Sequence, residues 1–207
     1  MNTQQDITAI VFDVGRVLID VRYDAFFDWL AGQGAELKGV DDFVARTDLL
    51  AYEHGHIDDD SFLANLNRLF REPIDEQQLV KQWQGLFEPV EDMLQLARRL
   101  KARYGVYLLS NTGALHWQYI VPRFGLDQYC HGLLASYEVG AMKPATAIFH
   151  AAEQRFELSA QGTVFIDDIA DNVEGARRCG WQGIHHTNPA ATLRQLRQLG
   201  VILEQSK

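Results

Sequence analysis

Ile7-Thr8-Ala9-Ile10-Val11-Phe12 is a short, β-rich apolar run that ends abruptly on a carboxylate, Asp13. An apolar stretch of this length suits a strand buried on both faces, as in a parallel sheet. The same pattern recurs downstream. Val106-Tyr107-Leu108-Leu109 ends at Ser110-Asn111, and Thr163-Val164-Phe165-Ile166 ends at Asp167-Asp168. Weaker runs at Leu133-Leu134-Ala135-Ser136 and Gly183-Ile184-His185-His186 add two candidate strands. Helical patterns lie between them. Glu91 to Tyr104 carries Met93, Leu94, Leu96, Ala97 and Leu100 on one face, and others cover Ala145 to Phe156, Asn172 to Cys179 and Thr192 to Leu199. Gly180 reads as a helix stop. Strand and helix in alternation predict an α/β protein with a Rossmann-like parallel sheet core.

The interval after the first strand breaks the rhythm. It reads as four helices, Tyr23–Gly32, Val40–Leu50, Asp58–Phe70 and Glu76–Phe87, with Asp58 as an N-cap and no strand signal of comparable strength. The expectation is a small helical cap domain, residues 20–88, inserted after the first strand of a core formed by residues 1–19 and 89–207.

The composition bounds the function. The 207 residues are 47% apolar and 23% charged, an ordinary globular balance. Lys and Arg number 19 against 28 Asp and Glu, giving a formal charge of −9. That sign disfavours nucleic acid and anionic membranes as partners, since both want basic patches. No apolar run reaches the roughly 18 residues of a membrane span. Met1 to Ile7 lacks the basic flank and apolar stretch of a secretory signal. Cys130 and Cys179 form no CxxC or zinc spacing and read as free thiols, so a cytoplasmic location is expected.

Ligands of open α/β sheets bind at the carboxyl ends of the strands. Here those ends carry Asp13, Ser110 with Asn111, and Asp167 with Asp168, while Lys143-Pro144 precedes a helix. A single Asp at such a place is most simply a helix cap. Three strand ends and a Lys together suit Mg²⁺ and a phosphoryl group, because clustered carboxylates need a cation between them.

These motifs are specific in order. Phe12-Asp13-Val14-Gly15-Arg16-Val17-Leu18, Leu109-Ser110-Asn111-Thr112, Lys143-Pro144 and Phe165-Ile166-Asp167-Asp168-Ile169-Ala170-Asp171-Asn172 resemble the four motifs of haloacid dehalogenase-like (HAD) hydrolases. The likeness covers essentially the whole chain, since the helical insertion sits where that family carries a C1-type cap. The resemblance implies a phosphatase acting on a small phosphorylated metabolite. Asp13 would be the nucleophile that takes up phosphorus. Mg²⁺ would be held by Asp13, the Gly15 carbonyl and Asp168. Ser110 and Asn111 would bind phosphate, Lys143 would pair with nucleophile and phosphate, and Asp167 and Asn172 would support them.

The chain departs from the family at Gly15, where most of its phosphatases carry a second Asp that protonates the leaving group and activates water. General acid–base help of this kind is worth roughly 10²–10⁴-fold. Three consequences are open: a substrate with a good leaving group such as a sugar 1-phosphate, a substitute among His116, Glu53 and His54, or weakened hydrolysis in a phosphate-binding protein. The Asp-x-Gly-x-Val form resembles a bacterial subgroup containing an α-D-glucose-1-phosphate phosphatase. Arg16 is a second departure, read as a solvated or ion-paired side chain or a cation near the substrate. His116, Glu53 and Arg16 are candidate substrate contacts. Haloacid dehalogenation is the competing chemistry. It attacks carbon without a metal, and the Asp167-Asp168 pair would sit beside a departing halide.

Overall fold

A computed structural model describes residues 6–202; the reading of Met1 to Ile7 as free of a secretory signal falls mostly on residues outside the described ones. Five parallel strands form the central sheet: β1 (Ala9–Phe12), β4 (Gly105–Ser110), β5 (Gly132–Ala135), β6 (Thr163–Asp167) and β7 (Gln182–His185), in the order β5-β4-β1-β6-β7. Ile10 faces Val106 on one side and Val164 on the other. Successive residues of each strand enter opposite cores. Ile10 and Phe12 share a core with Met93 and Ala97 of α6 (Glu91–Lys101), whereas Val11 packs with Ile148 and Phe149 of α9 (Thr146–Phe156). Burial on both faces is why the strands read as continuous apolar runs.

From β1 the chain builds outward to β4 and β5, then returns to the other side of β1 for β6 and β7. The carboxyl end of β1 therefore lies at a topological switch point, where a crevice opens.

Between β1 and β4 the chain forms α1 (Tyr23–Gly32), α2 (Val40–Thr47), α3 (Leu49–Glu53), α4 (Asp59–Asn67) and α5 (Glu76–Gln84). They enclose a second core that includes Phe26, Phe43, Phe62 and Trp83. Asp58 caps α4 as expected, accepting a hydrogen bond from the Ser61 N–H at 2.9 Å.

Four features differ from the sequence expectations. The helix expected over Val40–Leu50 breaks at Asp48, which adopts φ +56°. Two three-residue strands, β2 (Ile19–Val21) and β3 (Phe87–Pro89), pair antiparallel at the root of the insertion. They are too short to leave a periodic signal. A helix, α7 (Ala114–Phe124), follows β4, its pattern obscured by aromatic residues and an internal Pro122. Ser136 opens the one-turn α8 (Ser136–Val139) instead of closing β5. The remaining helices are α10 (Ala170–Arg178) and α11 (Pro189–Gln198). Among the described residues no helix is long and apolar enough to cross a membrane. Cys130 and Cys179 are both free thiols.

Candidate active site

Asp13 directly follows β1, Ser110 ends β4 and Asp167 ends β6, so the sheet itself delivers all three to the crevice. The Asp13 N–H continues the ladder by donating to the Ile166 carbonyl at 2.8 Å. Lys143 arrives from the loop before α9 and is only 4% exposed. Its ammonium donates to Asp13 Oδ1 at 2.6 Å, Asp167 Oδ2 at 2.8 Å and the Leu109 carbonyl at 3.0 Å. Three donors thus meet three acceptors. Burial alone would lower the Lys143 pKa, but the two carboxylates outweigh it and hold the ammonium above its ordinary range.

The supporting residues fall into distinct roles. Asn111 clasps the main chain of Lys143 twice: its Nδ2 donates to the Lys143 carbonyl at 2.9 Å, and its Oδ1 accepts from the Lys143 N–H at 2.8 Å. Its side chain thus positions Lys143 with one amide N–H and the oxygen, and the second Nδ2–H and the main chain remain for an anion in the cavity that Asn111 lines. Asp167 is completely buried and saturated. It accepts from Lys143, from the Ile169 N–H at 2.8 Å and from Asn172 Nδ2 at 3.1 Å to each oxygen. Asn172 holds Asp167, which in turn holds Lys143.

Oxygens of Asp13, Asp167 and Asp168 lie within 4.8 Å of one another. Burial pushes the Asp13 carboxyl up to about 7; Lys143 works against the rise and Asp167 adds to it. Burial also raises Asp168, again with help from Asp167. Three carboxylates thus face one ammonium, a charge deficit that a cation would fill. Because Asp167 is saturated, Asp13 and Asp168 are the carboxylates left to hold it. The Gly15 carbonyl accepts no hydrogen bond from a described residue, and Gly15 lines the same cavity. This all-oxygen donor set fits a hard divalent cation such as Mg²⁺.

The cavity above these groups has a volume of about 350 Å³ and is also lined by Ser110, Arg16, Tyr23, Glu53, Phe87 and His116. Arg16 adopts φ +57° and is exposed; its guanidinium acts electrostatically on Asp168. Glu53, at the end of α3, has no hydrogen-bonded side-chain partner among the described residues, and burial pushes its carboxyl up to about 8 against the pull of Lys143. Tyr23 was not singled out by the sequence. Its hydroxyl is pushed up to about 12 by burial, reinforced by Glu53. An aromatic at the first turn of an insertion helix gives no pattern that marks it as a cavity residue.

The histidines separate. His116 is buried, and its Nε2–H donates to the Trp83 carbonyl at 2.8 Å while the ring stacks on Trp83 with centroids 4.1 Å apart. Burial lowers its pKa to about 3, so the ring is neutral. His54 donates from Nδ1 to the Leu50 carbonyl at 2.8 Å and stacks with His56, away from this cavity.

The chain is similar to several known proteins along most of its length. A D-ribitol-5-phosphate phosphatase of Bacteroides thetaiotaomicron is 29% identical over 87% of this chain and 92% of its own length. A sesquiterpene phosphatase of Aspergillus oryzae is 28% identical over 92% of this chain and 95% of its own. A HAD family enzyme of Bacteroides thetaiotaomicron, solved as a magnesium complex, superposes with a TM-score of 0.77 at 26% identity, covering 88% of this chain and 94% of that one. The sequence model of the haloacid dehalogenase-like hydrolases matches residues 7–180, a span that takes in all three strand-end motifs and Lys143-Pro144. The chain belongs to the haloacid dehalogenase-like hydrolase family.

Proposed function

We propose that the protein is a Mg²⁺-dependent phosphatase of a small phosphorylated metabolite, working through an aspartyl-phosphate on Asp13. The observation that carries this reading is the Lys143 ammonium held between Asp13 and Asp167 at the floor of the cavity. It fixes the nucleophile and supplies positive charge where a phosphoryl group would sit. Asp13, Asp168 and the Gly15 carbonyl would hold Mg²⁺, which when bound neutralises charge between carboxylate and phosphate. Ser110 Oγ, on the cavity wall, would donate to a phosphate oxygen, with main-chain N–H groups beside it. Residues 20–88 would act as a cap over the core of residues 1–19 and 89–207, choosing the substrate through Tyr23 and Glu53. The named relatives act on phosphate esters, which favours this reading over dehalogenation.

A cavity of about 350 Å³ suits a small monoester such as a sugar or polyol phosphate, and the chain's −9 charge opposes a polymeric anion. The test is a panel of phosphorylated metabolites, sugar 1-phosphates and polyol phosphates included, assayed with Mg²⁺ and with chelator. Release of phosphate from at least one ester only with Mg²⁺ is expected. Mg²⁺-independent release of halide from a haloacid would overturn the reading.

A further inference from the structure

Gly15 leaves the reaction without a carboxylate two residues beyond the nucleophile. Of the three side chains that the sequence offers in its place, His54 lies off the cavity and His116 is a neutral ring whose one N–H is committed to Trp83. Glu53 remains. It lines the cavity from the insertion side, whereas Asp13 rises from the sheet. In an in-line displacement the leaving oxygen departs on the face of phosphorus opposite the nucleophile, toward the insertion.

The main chain that carries Glu53 is also fixed in place, which sets where its carboxyl can reach. Its own carbonyl accepts a 2.6 Å hydrogen bond from Ser136 Oγ, which in turn accepts from the Thr112 N–H at 2.9 Å. The preceding Tyr52 accepts a 2.8 Å bond from the Leu115 N–H through its hydroxyl and donates to Asp59 at 2.6 Å. Two residues on, Gly55 lies so close to Tyr137 that an added Cβ would stand 2.3 Å from its carbonyl oxygen. A segment of the insertion is thus fastened to the residues that follow β4 and β5, at the start of α7 and in α8.

We infer that Glu53 is the general acid and base of this site, an assignment that rests on the phosphatase reading above. In the first step a bond forms between Asp13 and phosphorus, the bond from phosphorus to the ester oxygen breaks, and the Glu53 proton passes to that oxygen. In the second step water attacks phosphorus, its proton returns to the Glu53 carboxylate, and the Asp13–phosphorus bond breaks. The cycle closes with Glu53 protonated. Burial, which holds the carboxyl protonated near neutral pH, matches the first step. The titratable and charged groups that share its cavity are Tyr23, Arg16, Asp13, Lys143, His116 and Asp168.

The experiment compares wild type and Glu53→Gln, both with Mg²⁺, on ribitol 5-phosphate and on p-nitrophenyl phosphate, whose phenolate leaves without a proton. For the variant, kcat on the alkyl ester should fall by about 10²–10⁴-fold with KM nearly unchanged. On the aryl ester it should release one equivalent of nitrophenolate in a burst and then turn over slowly. Wild type should show no burst, and the fall of its kcat on the alkyl ester above about pH 8 should be absent from the variant. Alkyl-ester turnover within threefold of wild type, or a loss confined to KM, would overturn the assignment and leave the phosphatase reading standing. No turnover of either ester by wild type would overturn both.

Discussion

Asp167 holds Lys143 through a 2.8 Å ion pair in which the two side chains are 0% and 1% exposed. Removing one partner of such a pair leaves a buried charge uncompensated and costs about 3–5 kcal/mol. Asp167→Asn keeps the volume but removes the charge. Because Asp13 still pairs with Lys143, it should lower the urea-unfolding free energy by only about 1–3 kcal/mol, and it should reduce kcat, because Lys143 loses one of the two carboxylates that aim it. Unchanged stability and kcat would show that Asp13, the Leu109 carbonyl and Asn111 position the lysine without Asp167.

Metal binding should be separable from catalysis at two residues. Asp13→Asn is expected to abolish turnover in Mg²⁺, since the amide cannot act as the nucleophile. Asp168→Asn should weaken Mg²⁺ affinity, read as a loss of the thermal shift that saturating Mg²⁺ gives wild type. Retained turnover by Asp13→Asn would refute its role, and an undiminished Mg²⁺ shift in Asp168→Asn would remove that residue from the ligand set.

Much of this site was legible because apolar runs ending on polar residues leave a strong signal. Asp13, Ser110 and Asp167 stand where a parallel sheet must deliver them. What was illegible depends on contacts distant in sequence. The double clasp of Asn111 on Lys143 spans 32 positions, and nothing at either residue announces it. The saturation of Asp167, which separates it from the neighbouring Asp168, follows from Asn172 and Lys143 converging on it. Strands β2 and β3 were hidden by their length, and α7 by a proline inside it.

Stability toward acid should carry the mark of His116. Its folded pKa, about 3, lies below the ordinary value of 6.5 because burial disfavours the charged ring. As pH falls below 6.5 the unfolded chain takes up a proton that the folded chain refuses, so stability present above that pH is lost toward pH 3. The slope from this group approaches about 1.4 kcal/mol per pH unit. Between pH 6.5 and 4.5, His116→Phe should lose about 2–3 kcal/mol less than wild type in urea titrations. Equal pH slopes in the two proteins would mean that the native ring is protonated.

Gly55 adopts φ +72° and abuts the Tyr137 main chain. Gly55→Ala combines a left-handed backbone with a direct clash, so it should cost about 1–3 kcal/mol. Because the clash lies between the insertion and the core, kcat should fall as Glu53 moves away from Asp13. A melting temperature and kcat equal to wild type would show that this contact does not set the position of Glu53.

Gly15 offers the sharpest test of how the missing carboxylate is replaced. A Cβ added there would meet only Val21 Cγ2, at 3.8 Å, and Gly15 does not have a positive φ. A side chain can therefore start at position 15 without a clash at Cβ, and the residue lines the same cavity. In a wild-type background Gly15→Asp adds a second acid beside Glu53 and should change turnover of an alkyl phosphate by less than about tenfold, a barrier change near 1.4 kcal/mol. In the Glu53→Gln background it supplies the only acid, and turnover should recover by at least about tenfold, a partial return of the 10²–10⁴ available to general acid–base catalysis. Recovery would show that the fold kept its nucleophile and cation ligands while moving the proton-transfer group from the strand-end loop to the insertion. A double variant as slow as Glu53→Gln alone would mean that position 15 does not reach the leaving oxygen in this chain.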